Sequence, residues 1–168
     1  AKEFIGQHVI IVGGGISAVQ LLGEISKVTE TTWVTRRPPD FRDNKFTEEL
    51  GREAVAMVDK RVREGLPTQS VVSVTGLPIT PAIESLLHTD VLDRKPMFDE
   101  ITETGVKWND GTVLNADVIF WNTGFRHSLD HLDPLHLQNE KGGIEMSGKL
   151  ATQVAKDPRI HLTGYGPS

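Results

Sequence analysis

Two groups of residues in the chain have types and a spacing that can do chemistry. The first is Gly13-Gly14-Gly15-Ile16-Ser17-Ala18, directly after the apolar run Val9 to Val12. Gly13 permits a tight turn, Gly15 leaves the backbone without a Cβ so that an anion can approach, and the small Ala18 lets a new helix pack closely on the strand. The anion would lie on unpaired N–H groups at a helix N-terminus, where the macrodipole favours negative charge. The pattern Gly13-x-Gly15-x-x-Ala18 is that of a turn holding a dinucleotide pyrophosphate, lined from Gly13 through Ala18.

The second group is Thr35-Arg36-Arg37, followed by Pro38 and Pro39. About 20 positions beyond such a turn, a carboxylate takes the ribose hydroxyls, whereas arginine accommodates a 2′-phosphate. No carboxylate occupies the place here: Glu30 comes before it and Asp40 lies beyond two prolines. Guanidinium groups are planar, paired donors that stay charged, which suits a phosphate. The ligand expected is therefore NADP(H). An FAD site at this point is disfavoured, because an adenosine ribose without a 2′-phosphate gains little from the arginines.

Other reactive residue types are absent or poorly arranged. The chain has no cysteine, which excludes a disulfide framework, a thiolate metal site and a redox-active cysteine pair within it. His127 and His131 stand four apart near Asp130 and Asp133, but no third matching ligand or HExxH pattern accompanies them, so no metal is expected. Asp99-Glu100 reads as surface charge, and no nucleophile elbow occurs. No side chain is nominated as acid, base or nucleophile.

The elements that must position the two groups follow from the hydrophobic pattern. Val9 to Val12 reads as a strand buried on both faces of a parallel sheet. Ala18, Leu22 and Ile25 then recur at helical spacing, and Thr31 to Thr35 is a β-branched and aromatic strand that carries the arginines at its end. Thr47 to Glu64 is the longest predicted helix, with Leu50, Ala54, Met57, Val58 and Arg61 near one stripe and Gly65 and Pro67 as its stop. Asp40 to Asn44 reads as a loop, Gln69 to Thr75 as a strand, and Pro81 opens a helix reaching His88. Met97 to Thr102 and Gly105 to Trp108 are strand candidates, and Asn109-Asp110-Gly111 is a hairpin turn, which together predict a β-meander. Ala116 to Phe125 is a further buried strand ending in a turn, and Ile160 to Thr163 is strand-like. The fold class expected is α/β, a Rossmann-like parallel sheet flanked by helices with a small inserted antiparallel β-meander.

At 168 residues the chain can form one ordinary core, and a single NAD(P)-binding domain over 1–168 is expected. A net charge of −5 gives no footprint for nucleic acid or an anionic membrane. No apolar run approaches the ~18 residues of a membrane span and no signal-peptide pattern opens the chain, so a cytoplasmic protein without a membrane partner is expected. The start at Ala1 and the end soon after Ile160 to Thr163 read as those of a piece of a longer polypeptide.

Val-Ile-Ile-Val-Gly-Gly-Gly-Ile-Ser-Ala, Trp-Val-Thr-Arg-Arg-Pro-Pro, Ala-Asp-Val-Ile-Phe-Trp-Asn-Thr-Gly-Phe-Arg and Ile-His-Leu-Thr-Gly-Tyr-Gly-Pro-Ser together resemble the NADPH-binding domain of flavin-containing monooxygenase-like flavoproteins. These belong to the two-dinucleotide-domain oxidoreductases of the pyridine nucleotide-disulfide type, and some bacterial members carry potassium-transport or cation-diffusion labels. Gly13, Gly15, Ser17 and Ala18 match the family's NADPH fingerprint, and Arg36 and Arg37 match its 2′-phosphate position. Asn122-Thr123-Gly124 stands where the family has Ala-Thr-Gly, a linker between its NADPH and FAD domains, so Asn122 departs from the small residue usual there.

The resemblance implies a parent protein that passes a hydride from NADPH to FAD, followed by oxygen activation and oxygen insertion into a substrate. It also implies that FAD belongs to a missing domain of the same polypeptide, since no second fingerprint occurs in this chain, and that the isolated segment is inactive. Apolar surface meant for that domain is expected to favour a homo-oligomer of the segment. A thioredoxin-reductase-like disulfide reductase shares the plan but needs a cysteine pair in this domain. The alternative of another class is a stand-alone NADP(H) sensor or regulatory module, without catalysis, associated with a transport partner.

Overall fold

A computed structural model describes residues 1–42, 47–69 and 76–166. The strand expected over Gln69 to Thr75 lies, beyond Gln69, outside the described residues, as does the end of the loop expected over Asp40 to Asn44. The chain forms two compact units, one of Ala1–Asn44 with Gly76–Gly124 and one of Lys45–Thr75 with Phe125–Ser168.

The first unit is built on a parallel sheet in the order β5-β2-β1-β9, from β1 (His8–Val12), β2 (Glu30–Thr35), β5 (Arg94–Pro96) and β9 (Val118–Trp121). β1 is central because Val9, Ile10 and Ile11 are fully buried, which a strand with a solvent face would not tolerate. It pairs with β2 from His8↔Glu30 to Val12↔Val34, and with β9 from Val9↔Val118 to Val12↔Trp121. Helix α1 (Ile16–Ile25) packs on the sheet through its buried Ala18, Val19, Leu22 and Ile25.

Between β5 and β9 the chain inserts the expected antiparallel meander, β6 (Glu100–Thr102), β7 (Gly105–Lys107) and β8 (Val113–Asn115). Trp108 N–H donates to Thr112 O across the Asn-Asp-Gly turn at 2.9 Å. Alternation along β1 and β2 puts Ile10, Val12 and Val34 on one face, where they share a core with Phe98, Val106 and Trp108 of the meander segment. A short parallel ladder of β3 (Phe41–Arg42) and β4 (Leu77–Pro78) precedes helix α3 (Pro81–Leu87), whose Thr80 hydroxyl accepts from Ile83 N–H.

Helix α2 (Glu48–Arg63) belongs to the second unit, and Thr47 caps it by accepting from Leu50 N–H at 3.2 Å. Its buried stripe is Ala54, Val58 and Val62, spaced one turn apart, and Met57 lies off that line and is exposed. The expected stripe through Met57 and Arg61 is corrected accordingly. Val62 joins Leu137, Ile144, Met146, Ala151, Val154 and Tyr165 in a core that includes the two-stranded ladder β10 (Met146–Ser147) and β11 (Gln153–Val154). The Tyr165 hydroxyl accepts from Ile144 N–H at 2.8 Å inside it. The strand expected over Ile160 to Thr163 reduces to a single bridge, Gln153↔His161.

His127 and His131 do not share an α-helix. His131 lies in a 3-10 helix over Asp130–Leu135, where positions four apart fall on different faces, and His127 packs on the Tyr165 ring. Among the described residues no helix is long and apolar enough to cross a membrane.

Candidate functional site

All four strands of the parallel sheet run the same way, so the segments after Val12, Thr35, Pro96 and Trp121 emerge at one carboxyl edge. β1 sends its connection towards β2, and β9 pairs on the other side of β1. The chain order therefore reverses at the end of β1, where open α/β sheets bind ligands. Gly13 stands at that point.

Gly13 is held from three directions. Its N–H donates to Val34 O at 2.9 Å, and its carbonyl accepts from the indole Nε1 of Trp33 at 2.7 Å. A Cβ at Gly13 would run into the Asn122 carbonyl oxygen and stand 2.8 Å from its carbon, and φ is +144°. Glycine is therefore required there by contact as well as by backbone angle. The close packing at Asn122 is made by its backbone, which is why a side chain larger than alanine is accepted. Asn122 N–H donates to Val12 O at 2.7 Å, and its Oδ1 is buried without a partner among the described residues. Thr123 and Gly124 follow as exposed, irregular chain.

Gly15 differs from Gly13 in every respect. It is the N-cap of α1 with ordinary extended backbone (φ −96°, ψ 174°), and a Cβ built there meets nothing within 4 Å. The first amides of α1 that find acceptors are those of Ala18 and Val19, both on Gly15 O. Among the described residues, the N–H groups of Gly14, Gly15, Ile16 and Ser17 have no partner in the chain. No acidic side chain sits in the first turn of α1 to compete for them. A diphosphate fits this donor set, since open space adjoins Gly15 and the amides supply hydrogen bonds to its oxygens.

At the end of β2 the structure brings Thr35 beside the glycine turn, its methyl 3.9 Å from a Cβ built on Gly14. Thr35 is only 2% exposed, and its hydroxyl donates to Arg37 O at 2.7 Å. Arg36 and Arg37 are exposed and, with Arg126, are the arginines whose guanidinium groups make no hydrogen bond or ion pair among the described residues. The two carboxylates nearest in sequence are engaged elsewhere. Glu30 begins β2 at the opposite edge, 3.9 Å from His8 Nδ1, and Asp40 accepts from Arg42 Nε at 3.0 Å.

Two residues of this edge carry no signal in the sequence. Trp33 reads as a strand aromatic, yet it donates to the glycine turn. Arg94 lies in the polar run Asp93-Arg94-Lys95-Pro96, which has no strand periodicity, yet it pairs opposite Trp33 in β5 and its Nε donates to Thr35 Oγ1 at 2.8 Å.

A cleft of about 660 Å³ opens at the opposite edge, lined by His8, Glu103, Thr104, Asn115, Ala116 and Asp117. Its carboxylates would repel a phosphate, so its size does not make it the nucleotide site. Among the described residues no three His, Asp or Glu side chains gather as a metal site.

Residues 1–164 match the pyridine nucleotide-disulphide oxidoreductase family, and the chain belongs to it. Over 164 residues it is 28% identical to a ferredoxin–NADP reductase from Enterococcus faecalis, covering 97% of this chain and 40% of that protein. A flavin-containing monooxygenase from Stenotrophomonas maltophilia superposes with a TM-score of 0.74 at 30% identity, covering 98% of this chain and 43% of its own. A bacillithiol disulfide reductase from Staphylococcus aureus shares the fold at a TM-score of 0.53 and 18% identity, over 92% of this chain and 41% of its own. The chain thus spans less than half the length of each of these proteins.

Proposed function

We propose that this chain is the NADPH-binding part of a flavin-dependent oxidoreductase of the monooxygenase-like kind. The observation that carries the reading is the pair of unsatisfied groups at one sheet edge: the amides of Gly14, Gly15, Ile16 and Ser17, and the exposed guanidinium groups of Arg36 and Arg37. In this reading the amides hold the pyrophosphate, Gly13 and Ala18 fix the approach of turn and helix, and Arg36 and Arg37 take the 2′-phosphate. Thr35 supports their turn, and Asn122, Thr123 and Gly124 border the pyrophosphate side. NADPH bound there supplies a hydride, and the residues of this chain orient it.

The flavin is assigned to another domain of the same polypeptide. The flavin-containing monooxygenase relative supports a flavin partner, and both it and the ferredoxin–NADP reductase are more than twice as long as this chain. The glycine turn after β1 is the one of its kind in the sequence, so no residues here are assigned to FAD. Trp121, 52% exposed at the end of edge strand β9, supports a protein surface beside the nucleotide edge.

The test is titration calorimetry with NADP⁺ and NAD⁺ side by side, in the parent protein and in Arg36→Ala/Arg37→Ala. Charge-assisted phosphate contacts are worth roughly 1.5–3 kcal/mol, so a preference for NADP⁺ of about tenfold or more is expected, collapsing in the double variant. Equal affinities in the parent protein would overturn the 2′-phosphate assignment.

A further inference from the structure

We infer that Arg94 is a positioning residue for recognition of the 2′-phosphate, acting through the Thr35 hydroxyl on the Arg36-Arg37 turn. The inference rests on the NADP(H) reading above and adds to it a residue that does not itself touch the ligand.

The direction of the relay is fixed by chemistry. A guanidinium can only donate, so the 2.8 Å contact from Arg94 Nε makes the Thr35 hydroxyl an acceptor towards β5. The single hydroxyl proton then goes to Arg37 O, 2.7 Å away. Arg94 Nη2 also donates to Thr35 O at 3.4 Å, so both oxygens of Thr35 face one guanidinium. Each bond polarises the next, and with Thr35 at 2% exposure water competes little for it.

The relay ties down the part of the chain that would otherwise be loosest. Arg36 and Arg37 are exposed and their guanidinium groups lack partners among the described residues, so the two side chains are not held by the protein. What fixes their backbone is the Thr35-to-Arg37 bond on one side and the φ-restricted Pro38-Pro39 on the other. Arg94 is itself fixed by the ladder, where Trp33↔Arg94, Val34↔Lys95 and Thr35↔Pro96 pair in register. A turn ordered before the ligand arrives loses less entropy on binding, and that gain applies to the 2′-phosphate and not to the rest of the nucleotide.

The experiment uses the intact protein and compares 2′,5′-ADP with 5′-AMP by calorimetry, so that the 2′-phosphate alone is read. Arg94→Gln and the nearly isosteric Thr35→Val should each weaken 2′,5′-ADP about five- to tenfold, as the turn loses its ordering before the ligand arrives, and leave 5′-AMP unchanged. Thr35→Ser, which keeps the hydroxyl, should bind as the parent does. If Arg94→Gln does not fold, Thr35→Val against Thr35→Ser decides alone. Equal weakening of both ligands, or of neither, would overturn the inference. Weakening by Arg94→Gln without weakening by Thr35→Val would replace the relay with direct contact between Arg94 and the phosphate. Arg36→Ala/Arg37→Ala is measured alongside. If it leaves the ratio of the two ligands unchanged, the NADP(H) reading fails and the inference falls with it; if it abolishes the ratio while Arg94→Gln and Thr35→Val do not, the inference alone fails.

Discussion

The two edges of the parallel sheet are made from the same strands but treat their polar groups in opposite ways. At the amino edge, His8 N–H donates to Asp117 Oδ2 at 2.7 Å, Asp117 N–H returns a bond to His8 O at 2.9 Å, and the His8 ring lies 2.8 Å from Thr32 Oγ1. The Thr29 hydroxyl donates to Gln7 O there as well. At the carboxyl edge, the amides from Gly14 to Ser17 and the guanidinium groups of Arg36 and Arg37 have no partner among the described residues. Unmade hydrogen bonds cost stability unless water or a ligand completes them. A cleft of about 660 Å³ with most of its polar groups engaged is therefore weaker evidence of a site than an open turn with its donors held back.

The largest effects should come from the two glycines of that turn, and they should separate folding from binding. Gly13→Ala forces a Cβ against the Asn122 carbonyl at φ +144°. It should cost on the order of 3 kcal/mol or more and lower the thermal midpoint by about 10 °C, with nucleotide binding lost as a consequence. Gly15→Ala meets nothing within 4 Å and keeps an ordinary backbone angle. Its stability should fall by less than ~1 kcal/mol, the size of a capping effect, while NADP⁺ affinity falls about tenfold or more as the methyl enters the phosphate's space. Melting curves and calorimetry on both variants check this, and a Gly15→Ala protein that binds NADP⁺ normally would remove the pyrophosphate from this turn.

That contrast also shows why the sequence disclosed some parts and hid others. The turn, α1 and β2 were legible because close packing and periodicity force residue types: glycine where Asn122 presses, alanine where α1 meets the strand, and β-branched residues along Thr31 to Thr35. The Asn-Asp-Gly hairpin was legible through its turn chemistry. β5 was not, because three residues ending in proline become a strand only through the ladder offered by β2. The expected strand over Met97 to Thr102 accordingly shortens to Glu100–Thr102. The roles of Arg94 and Trp33 were hidden for a related reason, since each depends on a hydrogen bond to a group distant in sequence. The core around Val62, Leu137 and Tyr165 was hidden because it gathers single residues from irregular segments instead of a periodic face.

A smaller effect tests the amino edge. Asp117→Ala removes the carboxylate that accepts from His8 N–H at an exposed position, and water can take its place. The cost should be below about 1 kcal/mol in a denaturant melt, with NADP⁺ affinity unchanged. A drop in nucleotide affinity would mean that the two edges are coupled, and the contrast between them would no longer hold.

The smallest effect belongs to an arginine that is already engaged. Arg159 Nε and Nη2 lie 2.9 and 2.8 Å from the two oxygens of Asp157, and this fork, with the Arg159 N–H, holds the Asp157 carboxyl down at about 2. A carboxyl lowered in the folded state contributes stability above its unfolded value of 3.8 and loses that contribution as pH falls through about 2. The pair is at the surface, where solvent and salt screen it, so Asp157→Asn should shift the midpoint only slightly at pH 7. The difference from the parent protein should vanish as the pH approaches 2 and shrink in high salt, with no change in NADP⁺ affinity at pH 7. Arg159 and Arg36 are then the same side chain in two conditions, one closed on a carboxylate of its own chain and one left open at the sheet edge. If Asp157→Asn altered nucleotide binding as Arg36→Ala/Arg37→Ala should, the absence of an internal partner would not be what distinguishes a ligand-binding arginine in this protein.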